Sequence, residues 1–67
     1  MVMKVTLHYD KKFDEWWTMH NDHYYCVTKV NGFWNVYRDG DLASAVGHPS
    51  NLKEARESIA SGDYEGR

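Results

Sequence analysis

The chain contains 67 residues, carries a formal net charge of −2 and includes three tryptophans, five tyrosines and two phenylalanines. A chain of this length forms a single domain with a small core, which leaves few residues for a buried catalytic cleft. The nearly neutral charge argues against a dedicated nucleic-acid binder with a basic surface, and the short apolar runs exclude a membrane-spanning helix.

The cysteine content and the first residues bear on the compartment. Cys26 is the one cysteine, so no intramolecular disulfide can form, which is compatible with a reducing compartment. The first seven residues lack the charged start and the continuous apolar centre of a secretory signal peptide. We therefore predict a cytoplasmic protein without a membrane partner.

The chain is predicted to open with a strand. Apolar residues alternate with polar ones, so that one face carries Met3, Val5, Leu7 and Tyr9 and the other carries Lys4, Thr6 and His8. Such alternation is typical of a strand with one buried face and one hydrated face.

Residues 11–20 fit two interpretations. Phe13, Trp16, Trp17 and His20 recur at helical spacing, and Asp10 stands where an N-cap would, which predicts a short helix. The alternative is an extended aromatic segment, because Trp-Trp-Thr also suits a strand. Asn21-Asp22 ends the segment in either case.

Two tight-turn dipeptides, Asn31-Gly32 and Asp39-Gly40, separate runs rich in aromatic and β-branched residues. They predict a three-stranded antiparallel meander over residues 23–30, 33–38 and 41–46. The first hairpin should pair Val30 with Phe33, Thr28 with Asn35 and Cys26 with Tyr37. The second should pair Arg38 with Asp41, Val36 with Ala43 and Trp34 with Ala45.

A C-terminal helix is predicted over residues 50–61. Ser50 or Asn51 caps it, with Glu54 at the capping-box position for Asn51, and Gly62 ends it. Its apolar side should pack over Trp34, Val36 and Ala45. Residues 63–67 are predicted to form a flexible tail.

These elements define an α+β fold of one domain, residues 1–67. It comprises a small antiparallel sheet, made of the N-terminal strand and the meander, a C-terminal helix on one face and a short helix after the first strand.

The sequence shows no catalytic or metal-binding constellation. His20-x-x-His23-x-x-Cys26 is the most metal-like cluster, but on one strand His23 and Cys26 point to opposite faces, and no second ligand pair follows. A thiol nucleophile would need Cys26 beside His20 or His23. We predict no enzyme activity, no metal and no cofactor.

The later part of the chain resembles double-stranded RNA-binding domains. Three predicted strands followed by a capped helix, from about Tyr24 to Ala60, match their topology. That family holds phosphates with a basic Lys-Lys-x-Ala-Lys patch, whereas the matching residues 51–56 read Asn-Leu-Lys-Glu-Ala-Arg. The resemblance therefore implies topology rather than RNA binding.

The run from Gly32 to Gly40, Gly-Phe-Trp-Asn-Val-Tyr-Arg-Asp-Gly, together with Leu-Lys-Glu-Ala-Arg at residues 52–56, resembles small phage- or prophage-encoded accessory proteins. Some anti-CRISPR proteins have a similar aromatic hairpin with a packed helix. The resemblance implies a small protein that binds and blocks a host machine. It implies no catalytic residues.

The excess of aromatic residues on a nearly neutral scaffold indicates a protein-binding module. The predicted contact residues are Trp16, Trp17, His20, Tyr24 and Tyr37. The alternative is a weak single-stranded nucleic-acid or RNA binder that uses Lys4, Lys11, Lys12 and Lys29 beside the aromatic residues.

Overall fold

The computed structural model describes residues 5–66 of the chain. Its elements are β1 (His8–Asp10), β2 (Glu15–His20), β3 (His23–Val30), β4 (Phe33–Arg38) and α1 (Leu52–Ser61). The strands form one antiparallel sheet in the order β1-β2-β3-β4, so that neighbours in the chain are neighbours in the sheet. An α+β fold with an antiparallel sheet and a C-terminal helix is therefore confirmed, although the elements differ in part from those predicted.

Two-residue turns connect the three longer strands. Asn21-Asp22 joins β2 to β3 with φ values of 49° and 65°, and Asn31-Gly32 joins β3 to β4 with 52° and 84°. Positive φ at both central residues matches the twist of an antiparallel hairpin. The predicted register of β3 and β4 is confirmed, with Val30 opposite Phe33, Thr28 opposite Asn35 and Cys26 opposite Tyr37.

The short helix predicted within residues 11–20 is wrong, because Glu15–His20 forms β2. Residues 11–14 make the turn before it, in which Phe13 is exposed and Asp14 has a φ of 52°. The strand gives both tryptophans a cross-strand partner, with Trp16 opposite Val27 and Trp17 opposite Cys26. The extended alternative therefore describes this segment.

The strand predicted over residues 41–46 is also wrong. The Asp39-Gly40 turn forms, with φ values of 54° and 77°, but the Asp41 carboxylate then accepts a hydrogen bond of 3.1 Å from the backbone N–H of Ala43. This local turn draws the chain away from the sheet ladder. The predicted ladder of Arg38–Asp41, Val36–Ala43 and Trp34–Ala45 is replaced by an isolated bridge between Val36 and Gly47.

The first predicted strand is shorter than expected. β1 covers His8–Asp10, and residues 5–7 are not part of a strand, although Val5 is buried and Leu7 is half-buried. Met3 and Lys4, which belonged to the predicted alternation, lie outside the described residues.

The ends of α1 follow the prediction. The Asn51 side chain accepts a hydrogen bond of 2.8 Å from the Glu54 backbone N–H, which identifies Asn51 as the N-cap. Gly62, with a φ of 84°, ends the helix in the left-handed conformation that glycine adopts most readily.

The core lies between α1 and the sheet. Ala55 and Ile59 of the helix have no exposed surface and pack with Tyr25, Val27 and Val36 of the sheet. Partly buried side chains surround this cluster: Leu7, Trp16, Trp34, Val46, Leu52 and Ala60. Val36 therefore shares the core with the helix as predicted, Trp34 packs at the edge of the same cluster, and Val46 rather than Ala45 joins it.

Residues 63–66, where a flexible tail was predicted, follow the helix as turns. Tyr64 is only 5% exposed and belongs to the core. The Arg38 guanidinium donates hydrogen bonds to the backbone carbonyls of Tyr64 and Glu65. A Cβ atom at Gly47 would overlap the Tyr64 ring, so glycine allows this close approach.

Candidate functional site

The two faces of the sheet differ in what lies over them. Side chains of a strand alternate between faces, so the register assigns each one. The covered face, which lies under α1, carries Tyr9, Trp16, Thr18, His20, His23, Tyr25, Val27, Lys29, Trp34, Val36 and Arg38. We call the other side the open face; it carries His8, Asp10, Glu15, Trp17, Met19, Tyr24, Cys26, Thr28, Val30, Phe33, Asn35 and Tyr37.

The five predicted contact residues divide between these faces. The structure brings three of them together on the open face: Trp17, Tyr24 and Tyr37. It places the other two, Trp16 and His20, on the covered face. A single surface therefore cannot contain all five.

Trp16 packs at the margin of the core. With Leu7, Leu52 and Arg56 it lines a small pocket of about 210 Å³ between the start of the sheet and α1. The Tyr9 ring covers it from β1, at a centroid distance of 5.0 Å. These contacts make Trp16 a part of the packing between the sheet and the helix.

His20 faces His23 across the Asn21-Asp22 turn, and its buried Nε2 atom has no hydrogen-bond partner among the described residues. Cys26 points to the opposite face of the sheet, so the three side chains of the metal-like cluster do not converge. Within residues 5–66, no group of three or more His, Cys, Asp or Glu side chains is arranged to hold a metal ion.

A row of rings crosses the open face. The centroids of His8 and Trp17 lie 4.7 Å apart, and those of Trp17 and Tyr24 lie 6.2 Å apart with an interplanar angle of 24°. The row runs from β1 through β2 to β3. Because the rings contact one another, each restrains the position of its neighbour.

Cys26 lies beneath this surface, between its cross-strand neighbours Trp17 and Tyr37. Burial, followed by a hydrogen bond with Glu15, raises the pKa of the thiol to about 12. The sulfur therefore stays protonated at neutral pH and packs as a small apolar group.

Other large apolar side chains of the open face are exposed to solvent. Met19 is 60% exposed, Val30 is 46% exposed and Phe33 is 71% exposed, and all three lie on the open face. Met19 lies opposite Tyr24, whereas Thr28 and Asn35 separate the Val30–Phe33 pair from Cys26 and Tyr37. Exposed apolar side chains on a small domain are characteristic of an interaction site.

Acidic groups border the open face. Asp10, at the end of β1, and Glu15, at the start of β2, are direct cross-strand partners. Burial raises the pKa of Tyr24, and the carboxylates of Glu15 and Asp10 are among the nearby groups that raise it further. Among the described strand residues, the basic side chains Lys29 and Arg38 lie on the covered face.

Sequence reasoning missed His8, Met19 and Glu15 as members of this surface. The signal that could have found them is Asn21-Asp22, interpreted as a two-residue hairpin turn rather than as the end of a helix. That turn places Met19 opposite Tyr24 and Trp17 opposite Cys26.

Comparisons with protein-family models, with curated proteins and with solved structures found no match for this chain. Within residues 5–66, no helix has the length and apolar character needed to cross a membrane. The functional argument therefore depends on the geometry and chemistry of the open face.

Proposed function

We propose that this chain is a small protein-binding module, an accessory or inhibitor protein that binds and blocks a larger host assembly through the open face. The observation that carries the proposal is the row of Trp17, His8 and Tyr24 rings on a sheet face that α1 does not cover. The contact residues are then Trp17, Tyr24 and Tyr37, without Trp16 and His20.

The residue types on this surface suit protein recognition. Tryptophan and tyrosine are enriched at the centres of protein interfaces, where they supply a large contact area. Ring contacts already restrain Trp17 and Tyr24, so binding orders fewer rotatable groups and loses less entropy. Exposed Met19, opposite Tyr24, widens the apolar surface around them.

The inhibitory role rests on the resemblance to phage-encoded accessory proteins, including anti-CRISPR proteins. A domain of 67 residues can block an assembly without catalysis, because occupying an interface is sufficient. The aromatic hairpin that carries the resemblance contributes Phe33 and Tyr37 to the open face.

The test is affinity capture from a lysate of the encoding organism's host, with mass spectrometry, followed by titration of the purified partner. Trp17→Ala and Tyr37→Ala should weaken binding by roughly 30-fold to 1000-fold, the loss typical of an interface anchor. Phe13→Ala is the matched control, because Phe13 is exposed in the turn before β2. Equal binding by Trp17→Ala and the wild type would contradict the proposal.

A second candidate, a single-stranded nucleic-acid binder, is favoured by the same ring row, because aromatic rings on a sheet face can stack on bases. The lysines named for it are dispersed, with Lys11 and Lys12 in the β1–β2 turn and Lys29 on the covered face. Titration with oligothymidine at several salt concentrations distinguishes the two, since phosphate binding weakens steeply with salt.

A further inference from the structure

We infer that the partner of the open face presents a basic segment, in which aliphatic stems of arginine and lysine pack on the ring row and their charged groups reach Asp10 and Glu15. This inference rests on the proposed protein-binding function. The proposed function locates the binding surface, and this inference names the chemical character of the partner that binds there.

The first support is the acidic pair itself. Asp10 and Glu15 lie directly opposite each other on β1 and β2, an arrangement that is unfavourable for two like charges. Among the described residues, the ion pairs involve Asp39 with His23 and with Arg38, and none involves Asp10 or Glu15. A cation between the two carboxylates would relieve their repulsion.

The second support is the position of this pair beside the rings. Glu15 precedes Trp17 by two residues on β2, and Asp10 follows His8 by two residues on β1, so both carboxylates border the same end of the row. Long basic side chains combine an apolar stem with a charged end, which matches an aromatic surface bordered by acids. A guanidinium group can also stack on exposed aromatic rings.

The third support is the distribution of basic groups. The described strand residues place Lys29 and Arg38 on the covered face, where the Lys29 ammonium lies 5.5 Å from the Trp34 ring centre. Lys11 and Lys12 lie in the turn beyond the acidic pair, and the Lys12 ammonium lies 5.4 Å from the Phe13 ring centre. The described strands therefore place carboxylates and no lysine or arginine on the open face, which favours a basic partner over nucleic acid.

The test uses defined probes and amide resonances of the labelled full chain. The first probe is a short peptide of arginine, leucine and alanine; its controls are the same peptide with glutamate for arginine, and oligothymidine. We expect the arginine peptide to bind and to shift the Trp17 indole and Tyr24 signals while leaving α1 unchanged. Tighter binding of the glutamate peptide or of oligothymidine, or no binding of the arginine peptide, would overturn the inference.

Matched variants then test the acidic pair. Asp10→Asn and Glu15→Gln keep the shape of each side chain, and each should weaken binding of the arginine peptide roughly threefold to fivefold at low salt. Glu57→Gln, on an exposed part of α1, is the control and should bind like the wild type. Unchanged binding by both open-face variants would also overturn the inference.

The captured partner separates this inference from the proposed function. Loss of the partner in Trp17→Ala, Asp10→Asn and Glu15→Gln supports both. If only Trp17→Ala loses the captured partner, and the wild type binds that partner equally well at all salt concentrations, the proposed function stands and the basic partner is rejected. If Trp17→Ala and Tyr37→Ala both still bind the captured partner, the proposed function itself is rejected.

Discussion

The covered and open faces of the sheet carry similar side chains but have different surroundings. On the covered face, Tyr25, Val27 and Val36 are fully buried, whereas on the open face Met19 and Phe33 expose most of their surface. α1 and Tyr64 shield one face alone. Antiparallel sheets commonly make their second face polar, so the aromatic residues on the second face are the observation that supports the proposed binding surface.

The adjacent residues Trp16 and Trp17 show this difference between the faces most clearly. Trp16 contacts the margin of the core, whereas Trp17 contacts His8 and Tyr24 on the open face. Because the side-chain period of a strand is two, neighbours in sequence belong to different surfaces. Substitutions on the two faces should therefore affect different properties.

The largest effect on stability is expected on the covered face. Ile59→Ala removes a fully buried side chain from between α1 and the sheet, and should lower the free energy of unfolding by about 2–5 kcal/mol. Denaturant unfolding followed by circular dichroism measures the loss. Tyr37→Ala, on the open face, should lose less, and an equal loss would contradict the division between the faces.

The reactivity of the Cys26 thiol measures how well the side chains of the open face cover it. With a pKa of about 12 and little exposed surface, its thiol should react with a thiol reagent at least about a hundredfold more slowly than a free cysteine. Trp17→Ala should accelerate the reaction, whereas Phe13→Ala should not. A wild-type rate near that of free cysteine would show that the rings do not cover Cys26.

A smaller effect is expected at Asp39, in the turn that follows β4. Its carboxylate accepts a 2.9 Å hydrogen bond from the Tyr24 backbone N–H and lies 2.7 Å from His23 Nδ1, and these contacts lower its pKa. The resulting stabilisation is complete above the unfolded pKa of about 3.9, and is lost as the pH falls through the lower folded value.

The urea midpoint of the wild type should therefore fall on acidification from about pH 6 to about pH 2, and Asp39→Asn should flatten part of this dependence. If the variant and the wild type have parallel pH profiles, the Asp39 contacts do not stabilise the fold.

The smallest effect is expected at Tyr25. Its hydroxyl is buried and makes no hydrogen bond among the described residues. Tyr25→Phe removes a desolvated polar group, so stability should stay unchanged or rise by up to about 1 kcal/mol. A clear loss of stability in a thermal melt would show that the hydroxyl has a partner in solution.

Local turn and cap chemistry made part of this fold predictable. Asn31-Gly32 determined the β3–β4 register, and Asn51 with Gly62 determined the ends of α1, because each depends on a few adjacent residues. The segment after residue 40 was not predictable in this way. There the Asp41 side chain competes with the ladder for the backbone, which the alternation of residues 41–46 does not reveal.

The assignment of β2 was ambiguous because both of its faces carry a tryptophan. A strand between a core and water alternates apolar and polar residues, but β2 places Trp16 and Trp17 on opposite faces that are both apolar. Because both tryptophans are present, the apolar residues of this segment recur at helical spacing. The same departure from alternation places Trp17, the largest ring of the open face, on that face. The helical interpretation also led to the prediction that Trp16 and His20 share one contact surface with Trp17, whereas the strand places them on the covered face.

Paired measurements on Trp16→Ala and Trp17→Ala test the two-face account most directly. Denaturant unfolding gives the stability of each variant, and titration of the captured partner gives its affinity. Trp16→Ala should lose about 2–4 kcal/mol of stability, whereas Trp17→Ala should stay folded, lose about 1 kcal/mol and no longer bind the partner. If Trp17→Ala unfolds the domain while Trp16→Ala stays folded and loses binding, the assignment of core and contact surface is contradicted.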